Sequence, residues 1–448
     1  MFNLSAKRLQ IQNGPNEVRY VFLETLITNV GILFANMLTG IITARLLGPA
    51  GRGELAAILL WPSIIVHIGI IGTNWGLARE SAKDKLGEKG IVILIRSSIV
   101  FGSIHGFLVL IISWWFVNIA VAADKSHLMN LIKLYLLFIP FSIISLNILG
   151  VYQGAWQFTK FNIIRASYYY LYLMLIMMFW IFNYVELKFF VIANLIGSIL
   201  MLAVAIIISD FGNTKGKADY KVYTSVVKSS TPYAVATIFS TLCQRVDQIL
   251  IISFLSSNEV GLYIVGLSFA GALSPLINTF NAIVFAQSAQ DNTGERVSNI
   301  SMTFRRGLFL YGLMLVGFII VSPLLIPLLY GKAFARAISL SMILLPAMGI
   351  VALAQILDEC LRGIGKPLPG TLGQMVSIIL TCLVAWLTVP IFGLKGMALA
   401  ALMGALAYLL MSQIFIYVYL DIPITILYRF QRNDFVFNKK FSLKSLKL

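Results

Sequence analysis

The chain is short of charge, and shortest of negative charge. Only 12% of its 448 residues are Asp, Glu, Lys or Arg, and 18 acids stand against 34 Lys and Arg. A soluble domain carries about a quarter charged residues, so this composition excludes a water-facing shell over a single core. Long polar stretches are missing too. The longest gaps between apolar runs lie near 210–224, 287–303 and the last 28 residues, and none can enclose a core of its own. The three cysteines, Cys243, Cys360 and Cys382, fall inside apolar runs without metal-ligand spacing, and read as small packing residues. His67 and His105 stand alone in apolar runs, which suits packing better than ligation. The motifs GxxxxGK[ST], HExxH and GxSxG are absent, which removes the phosphate loop, the zinc-protease pair and the serine elbow. No outer loop with clustered arginines is present, as an intramembrane polymerase or ligase needs, and no channel filter motif. No enzyme activity, cofactor or metal is expected. No cleavable leader is expected either: residues 1–19 are polar and the first apolar run is too long for one.

What is present is apolar length. Hydrophobic residues make up 59% of the chain. They come in runs of roughly 20, the length that crosses about 30 Å of hydrocarbon as a helix. Spans are expected at 20–46, 54–78, 91–118, 128–152, 163–184, 188–209, 226–253, 259–286, 304–330, 337–361, 368–390 and 394–420. The expected fold is therefore all-α and polytopic, with twelve transmembrane helices and both termini on one side. On the side of the termini fall 25 Lys and Arg, among them Arg79, Arg165, Arg362 and Lys366. Eight fall on the other side, and Arg245 alone lies mid-span. The positive-inside rule makes the side of the termini cytoplasmic. The net charge of +16 is thereby a topology signal and a contact for anionic lipids, not a nucleic-acid surface.

Six spans precede the basic loop and six follow it, so the two sets run parallel. This divides the chain into a bundle over 1–209, a cytoplasmic linker over 210–225, a second bundle over 226–420 and a basic amphipathic tail over 421–448 that suits the inner membrane surface. A weak repeat supports the division. ARLLGPAGRGEL (44–55) follows the first span and ISFLSSNEVGLY (252–263) the seventh. Sliding by 208 places Leu47 on Leu255 and Gly53 on Gly261.

Buried polar residues carry function in such proteins. The first span bears Thr25, Thr28, Asn29, Asn36, Thr39 and Thr43 at three- and four-residue steps, and the seventh bears Thr237, Thr241, Gln244 and Gln248. Such steps put each set on one helical face. Two equivalent faces suit a shared substrate cavity; interhelical hydrogen bonding is the alternative. Arg245 flanks the seventh-span stripe and is a candidate substrate contact. Asp247 lies about 200° further round the helix and suits a structural or gating pair. Glu24 suits a proton or cation site, or an ion-pair partner. Asp358 and Glu359, followed by Arg362 and Lys366, suit local pairing or a gate.

Four segments resemble those of a known family: LLGPAGRGELA (46–56), QRVDQILIISFLSSNEVGLYIVG (244–266), PLLIPLLYGKAFARA (323–337) and LRGIGKP (361–367). Their order and spacing are similar to those of the O-antigen and capsule lipid-linked oligosaccharide flippases of the multidrug/oligosaccharidyl-lipid/polysaccharide (MOP) exporter superfamily. The resemblance covers roughly 20–420. It implies two six-helix bundles around a polar or cationic lumen, in the fold shared with the multidrug and toxic compound extrusion (MATE) transporters. The implied substrate is an undecaprenyl-diphosphate-linked oligosaccharide, moved between leaflets by alternating access. Arg245 would then meet the diphosphate, Asn29, Asn36, Thr241 and Gln244 would bond the sugars, and Thr237 and Gln248 would line the same lumen. Arg79, Arg362 and Lys366 would receive the headgroup from the cytoplasm, and Glu24, Asp247, Asp358 and Glu359 would serve coupling or gating. Membrane lipids, a coupling cation (H+ or Na+), a glycan polymerase and glycosyltransferases are the implied partners. A cation-coupled MATE-type antiporter of small molecules, and a non-transporting scaffold of a glycan-assembly complex, are the other readings.

Overall fold

The computed structural model describes residues 15–82, 87–209, 217–273, 284, 293–364, 366 and 368–431. Among them every regular element is a helix. They are α1 (Pro15–Gly69), α2 (Thr73–Ser81), α3 (Gly87–Ala120), α4 (Met129–Leu136), α5 (Phe138–Gly154), α6 (Phe158–Ile181), α7 (Leu187–Ile208), α8 (Tyr220–Phe254), α9 (Ser257–Ala270), α10 (Thr293–Tyr330), α11 (Ala337–Gly363), α12 (Leu368–Phe392), α13 (Leu394–Leu420) and α14 (Ile424–Tyr428). Nine of the described helices are long and apolar enough to cross a membrane, ten if the pair 123–136 and 138–154, bent by 41°, is one span.

The expected spans meet this structure with three differences. The first two spans are joined in α1 and parted by one non-helical residue, Gly48, whose φ of 65° suits glycine. The second span breaks again at Ile71 and Gly72, both with positive φ, so 73–78 belong to the short helix α2. The eighth, 259–286, is described as far as Leu273 and runs on outside the described residues. The linker between the expected bundles is likewise described only from Lys217 onward.

The surface is apolar where a soluble protein would be polar. Trp115, Ile119, Ile320 and Trp386 are each 70% exposed or more. In water that would be an association surface; against lipid tails it is the expected exterior.

The chain forms two compact units, 19–264, and 265–448 with the first residues through Val18. In the first unit Leu77, Ile144, Ile148, Tyr152, Ile164 and Val226 pack together. Several polar groups inside it find partners on other helices, as the lack of water in hydrocarbon favours. Tyr135 and Tyr168 both donate to Asn194 Oδ1, at 2.6 and 2.8 Å, and Thr73 donates to Asn147 at 2.7 Å. The second unit packs on Phe304, Leu353, Leu357, Leu361, Tyr408 and Ile416. The start of the expected tail is docked there: Ile422 and Leu427 are fully buried, and Arg305 donates to the Ile426 carbonyl at 2.8 Å. Residues 432–448 of that tail lie outside the described residues.

The turn between α8 and α9 is written in its sequence. Ser256 N–H and Oγ–H donate to Glu259 at 3.1 and 2.8 Å, and the Glu259 N–H returns to Ser256 Oγ at 3.4 Å. This reciprocal box caps the start of α9. It fixes a close crossing of α9 with α1. A Cβ on Gly53 would stand 1.8 Å from the Ser257 carbonyl oxygen, and one on Gly261 1.9 Å from that of Pro49. Ser257 lies 208 residues past Pro49, as Gly261 does past Gly53, so the two contacts are mutual images. Such reciprocity is the mark of an isologous contact about a two-fold axis. Alongside, Lys125, paired with Asp124, donates to the Leu255 carbonyl at 3.0 Å and caps the end of α8.

Because both close approaches are to backbone, Gly261→Ala should lower the thermal unfolding midpoint of the detergent-solubilised protein, by the equivalent of about 1–3 kcal/mol. Gly312→Ala, where a Cβ meets nothing within 4 Å, should leave it unchanged or raise it slightly.

Candidate functional site

The polar stripe of the first span is half zippered and half open. Its early residues face α6. Thr159 donates to Glu24 Oε2 at 2.9 Å, Asn162 to Thr25 Oγ1 at 3.1 Å, and Arg165 Nη2 to Asn29 Oδ1 at 2.5 Å. The three α6 residues recur every third position, so they line one face and meet the α1 stripe in register. Further along, Asn36 is exposed, while Thr39 and Thr43 are buried, with Thr43 bonding back to the Thr39 carbonyl at 2.8 Å.

The seventh-span stripe lies on α8, which packs on α2 and α3 within the same unit. Arg245 donates to Gln248 at 2.9 Å and Gln244 to Ser240 at 3.2 Å; Thr237 and Thr241 are half-buried. Asp247 accepts from Tyr263 on α9 at 3.1 Å. Helices α1 and α6 thus bring Asn29 and Arg165 together, while Arg245 and Gln248 meet on α8 itself. Arg79 is exposed on α2 of the same unit.

In the second unit the four charges near the end of α11 separate. Asp358, 1% exposed, accepts from Tyr408 Oη at 2.5 Å and from Ser412 Oγ at 3.4 Å on α13, and Gln374 of α12 donates to Tyr408 at 3.3 Å. Glu359 instead pairs with Arg362 at 3.1 Å on its own helix. Lys366 covers the Tyr419 ring, 4.2 Å from its centroid. Among the described residues no three His, Cys, Asp or Glu side chains gather as a metal site requires.

Sequence reading overlooked Arg165 and the Asp358 network. The charge count assigns Arg165 to the cytoplasmic side at the start of the expected span 163–184; it lies two turns inside α6, a candidate span. The signal that finds it is the three-residue step Thr159, Asn162, Arg165. The partners of Asp358 come from helices 50 and more residues away, which no local pattern reports.

Long apolar helices, a lipid-facing surface and buried polar contacts between helices define a multi-pass α-helical membrane protein, and its fold is similar to that of solved transporters of the MOP superfamily. It superposes on the inward-facing conformation of a multidrug resistance MATE family transporter of that superfamily with a TM-score of 0.71, over 88% of this chain and 99% of that one, at 12% identity. On the lipid II flippase MurJ in an inward closed conformation the TM-score is 0.68, over 91% and 89%, at 16% identity. On the Vibrio cholerae MATE transporter VcmN it is 0.58, over 95% and 100%, at 13% identity. By sequence, residues 18–286, more than half of the chain, match the family described as Polysaccharide biosynthesis protein, and the chain belongs to that family. No protein of curated function matches it.

Tyr408→Phe removes the closest donor to the buried Asp358 carboxylate and the phenol oxygen that accepts from Gln374. It should lower the stability of the detergent-solubilised protein by about 1–3 kcal/mol, read as a reduced thermal unfolding midpoint, whereas Tyr419→Phe, which keeps the ring under Lys366, should not.

Proposed function

We propose that the protein is a flippase that carries a polyprenyl-diphosphate-linked oligosaccharide, the repeat unit of a surface polysaccharide, across the cytoplasmic membrane by alternating access. The observation that carries this reading is Arg245. It is a guanidinium inside a span, on the polar face of α8, which donates to the neutral Gln248 while the neighbouring Asp247 is engaged by Tyr263. A charge at membrane depth costs about 2.5 kcal/mol or more, and a diphosphate is the natural counter-ion: guanidinium grips phosphate oxygens through paired, charge-assisted hydrogen bonds. The family supplies the glycan. Asn29, Asn36, Thr237, Thr241, Gln244 and Gln248 are the sugar-facing donors and acceptors of this reading. Arg79, and Arg362 and Lys366 in the second unit, are its cytoplasmic cations, with Glu24, Asp247, Asp358 and Glu359 reserved for coupling or gating. The lipid tail stays in the bilayer. H+ or Na+ is the coupling ion, and a glycan polymerase and glycosyltransferases are the working partners.

The MATE-type antiporter is the second reading, favoured by one observation: Glu24, a carboxylate in the first span, accepts from the neutral Thr159 and can take up a cation. The two separate in a deletion strain. Loss or shortening of surface glycan with ordinary drug tolerance supports the flippase; altered drug tolerance with normal glycan supports the antiporter.

Complementation of that strain tests the central residue. Arg245→Ala and Arg245→Glu should each leave surface glycan reduced by about tenfold or more, measured by gel profile and quantity at equal protein level. Restoration of normal glycan by both variants would remove the diphosphate role.

A further inference from the structure

We propose that the short helix α14 and the basic segment after it form a binding surface for anionic phospholipid headgroups, and that the docking of α14 on α10 and α13 passes this binding on to the second unit. The inference goes beyond the cargo and holds for either reading of it.

The chain turns sharply where its last described span ends. Asp421 closes α13 with a φ of 52°, a left-handed angle that aspartate tolerates better than most residues, and Pro423 opens α14. One side of this turn is inside the protein. Ile422 and Leu427 are fully buried, in the core that holds Phe304, Leu357 and Ile416. Directional contacts fix the helix there. Arg305 of α10 donates to the Ile426 carbonyl at 2.8 Å, Gln413 of α13 donates to Tyr428 Oη, and the Tyr428 ring meets Phe304 edge-on at 5.6 Å. The turn is therefore a strap that ties α10 to α13.

The other side of the strap is apolar and open. Ile424 and Ile426 are exposed, and so is much of Tyr428. Arg429, also exposed, follows at once. From Arg429 to the end the sequence carries six Lys and Arg against one acid, Asp434, with Phe435, Phe437 and Phe441 among them. Apolar side chains just beyond a span, then clustered cations, match the two layers of a membrane surface, the acyl boundary and the headgroups. Apolar contact alone holds a short segment marginally, so charge decides the partner. Each Lys or Arg close to an anionic leaflet contributes about 1 kcal/mol, and about four to eight of them beside a span form the pattern that reads acidic lipid. An acidic soluble partner would answer the cations but not the exposed isoleucines beside the span. A ligand bound to the folded strap stabilises whatever the strap is docked on, which here is the packing of α10 against α13.

The test is the thermal unfolding midpoint of the purified full chain in nanodiscs of phosphatidylcholine, and of phosphatidylcholine mixed with phosphatidylglycerol. The mixed lipid should raise the wild-type midpoint by a few degrees, and high salt should remove most of that rise by screening. The full chain carrying Arg429→Gln, Arg432→Gln, Lys439→Gln and Lys440→Gln should lose the rise and keep the wild-type midpoint in phosphatidylcholine alone. Ile424→Asn should reduce the rise; if it does not fold, the neutralised tail carries the test. No rise in the wild type overturns the proposal. A full rise in the neutralised chain places the lipid's effect elsewhere and overturns it too. An absent rise in the wild type, together with a loss of surface glycan in cells carrying the neutralised chain, assigns the tail to a protein partner in place of lipid.

Discussion

Hydrocarbon offers no hydrogen bonds, and the arrangement of this protein follows from that lack. Every polar group placed in a span must be answered by another part of the chain or by a ligand. Asn194 answers two tyrosines, Tyr408 and Ser412 answer Asp358, and Tyr263 answers Asp247. These contacts tie helices that apolar packing alone would leave free to slide, because lipid tails compete with leucine on equal terms. Against that background Arg165 and Arg245 differ. Each has a neutral partner and neither has a carboxylate within ion-pairing distance among the described residues. Charge left open where charge is expensive is what a transporter of an anion would retain.

A second constraint is backbone proximity. Gly53 and Gly261 meet because neither carries a Cβ, and their contacts with Ser257 and Pro49 are images of each other. The crossing of α1 with α9 is thus a place where residues 208 apart in the chain touch in reciprocal pairs. The capping box at Ser256 and Glu259, and the Lys125 bond to the end of α8, hold that place in register.

Much of this was legible in the sequence. Apolar run length gave the helices, since about 20 residues is a physical length and not a convention. The 208-residue offset, weak as a sequence signal, paired the two glycines that touch. The opposed directions of Arg245 and Asp247 followed from helical geometry alone. What was not legible was partnership. The α1 stripe suited either a cavity or a helix contact; α6 takes up Glu24, Thr25 and Asn29 while Asn36 stays exposed, and only the placement of Thr159, Asn162 and Arg165 separates the two. The joining of two spans in α1, and the break at Ile71 and Gly72, turn on single backbone angles that hydropathy does not encode. The docking of Ile422 and Leu427 was masked by the basic residues beyond them, which dominate the average character of the tail.

Family membership, fold and the span guanidinium of Arg245 are the grounds for the proposed movement of a lipid-linked glycan between leaflets. The most direct measurement is transport by the purified protein alone. Reconstituted into vesicles with a fluorescent polyprenyl-diphosphate sugar in one leaflet, the protein should move the headgroup to the other leaflet faster than protein-free vesicles do, as read by accessibility to a membrane-impermeant quencher. Folded, correctly inserted protein that leaves the rate equal to that of empty vesicles, under an imposed H+ or Na+ gradient as well as without one, would contradict the account.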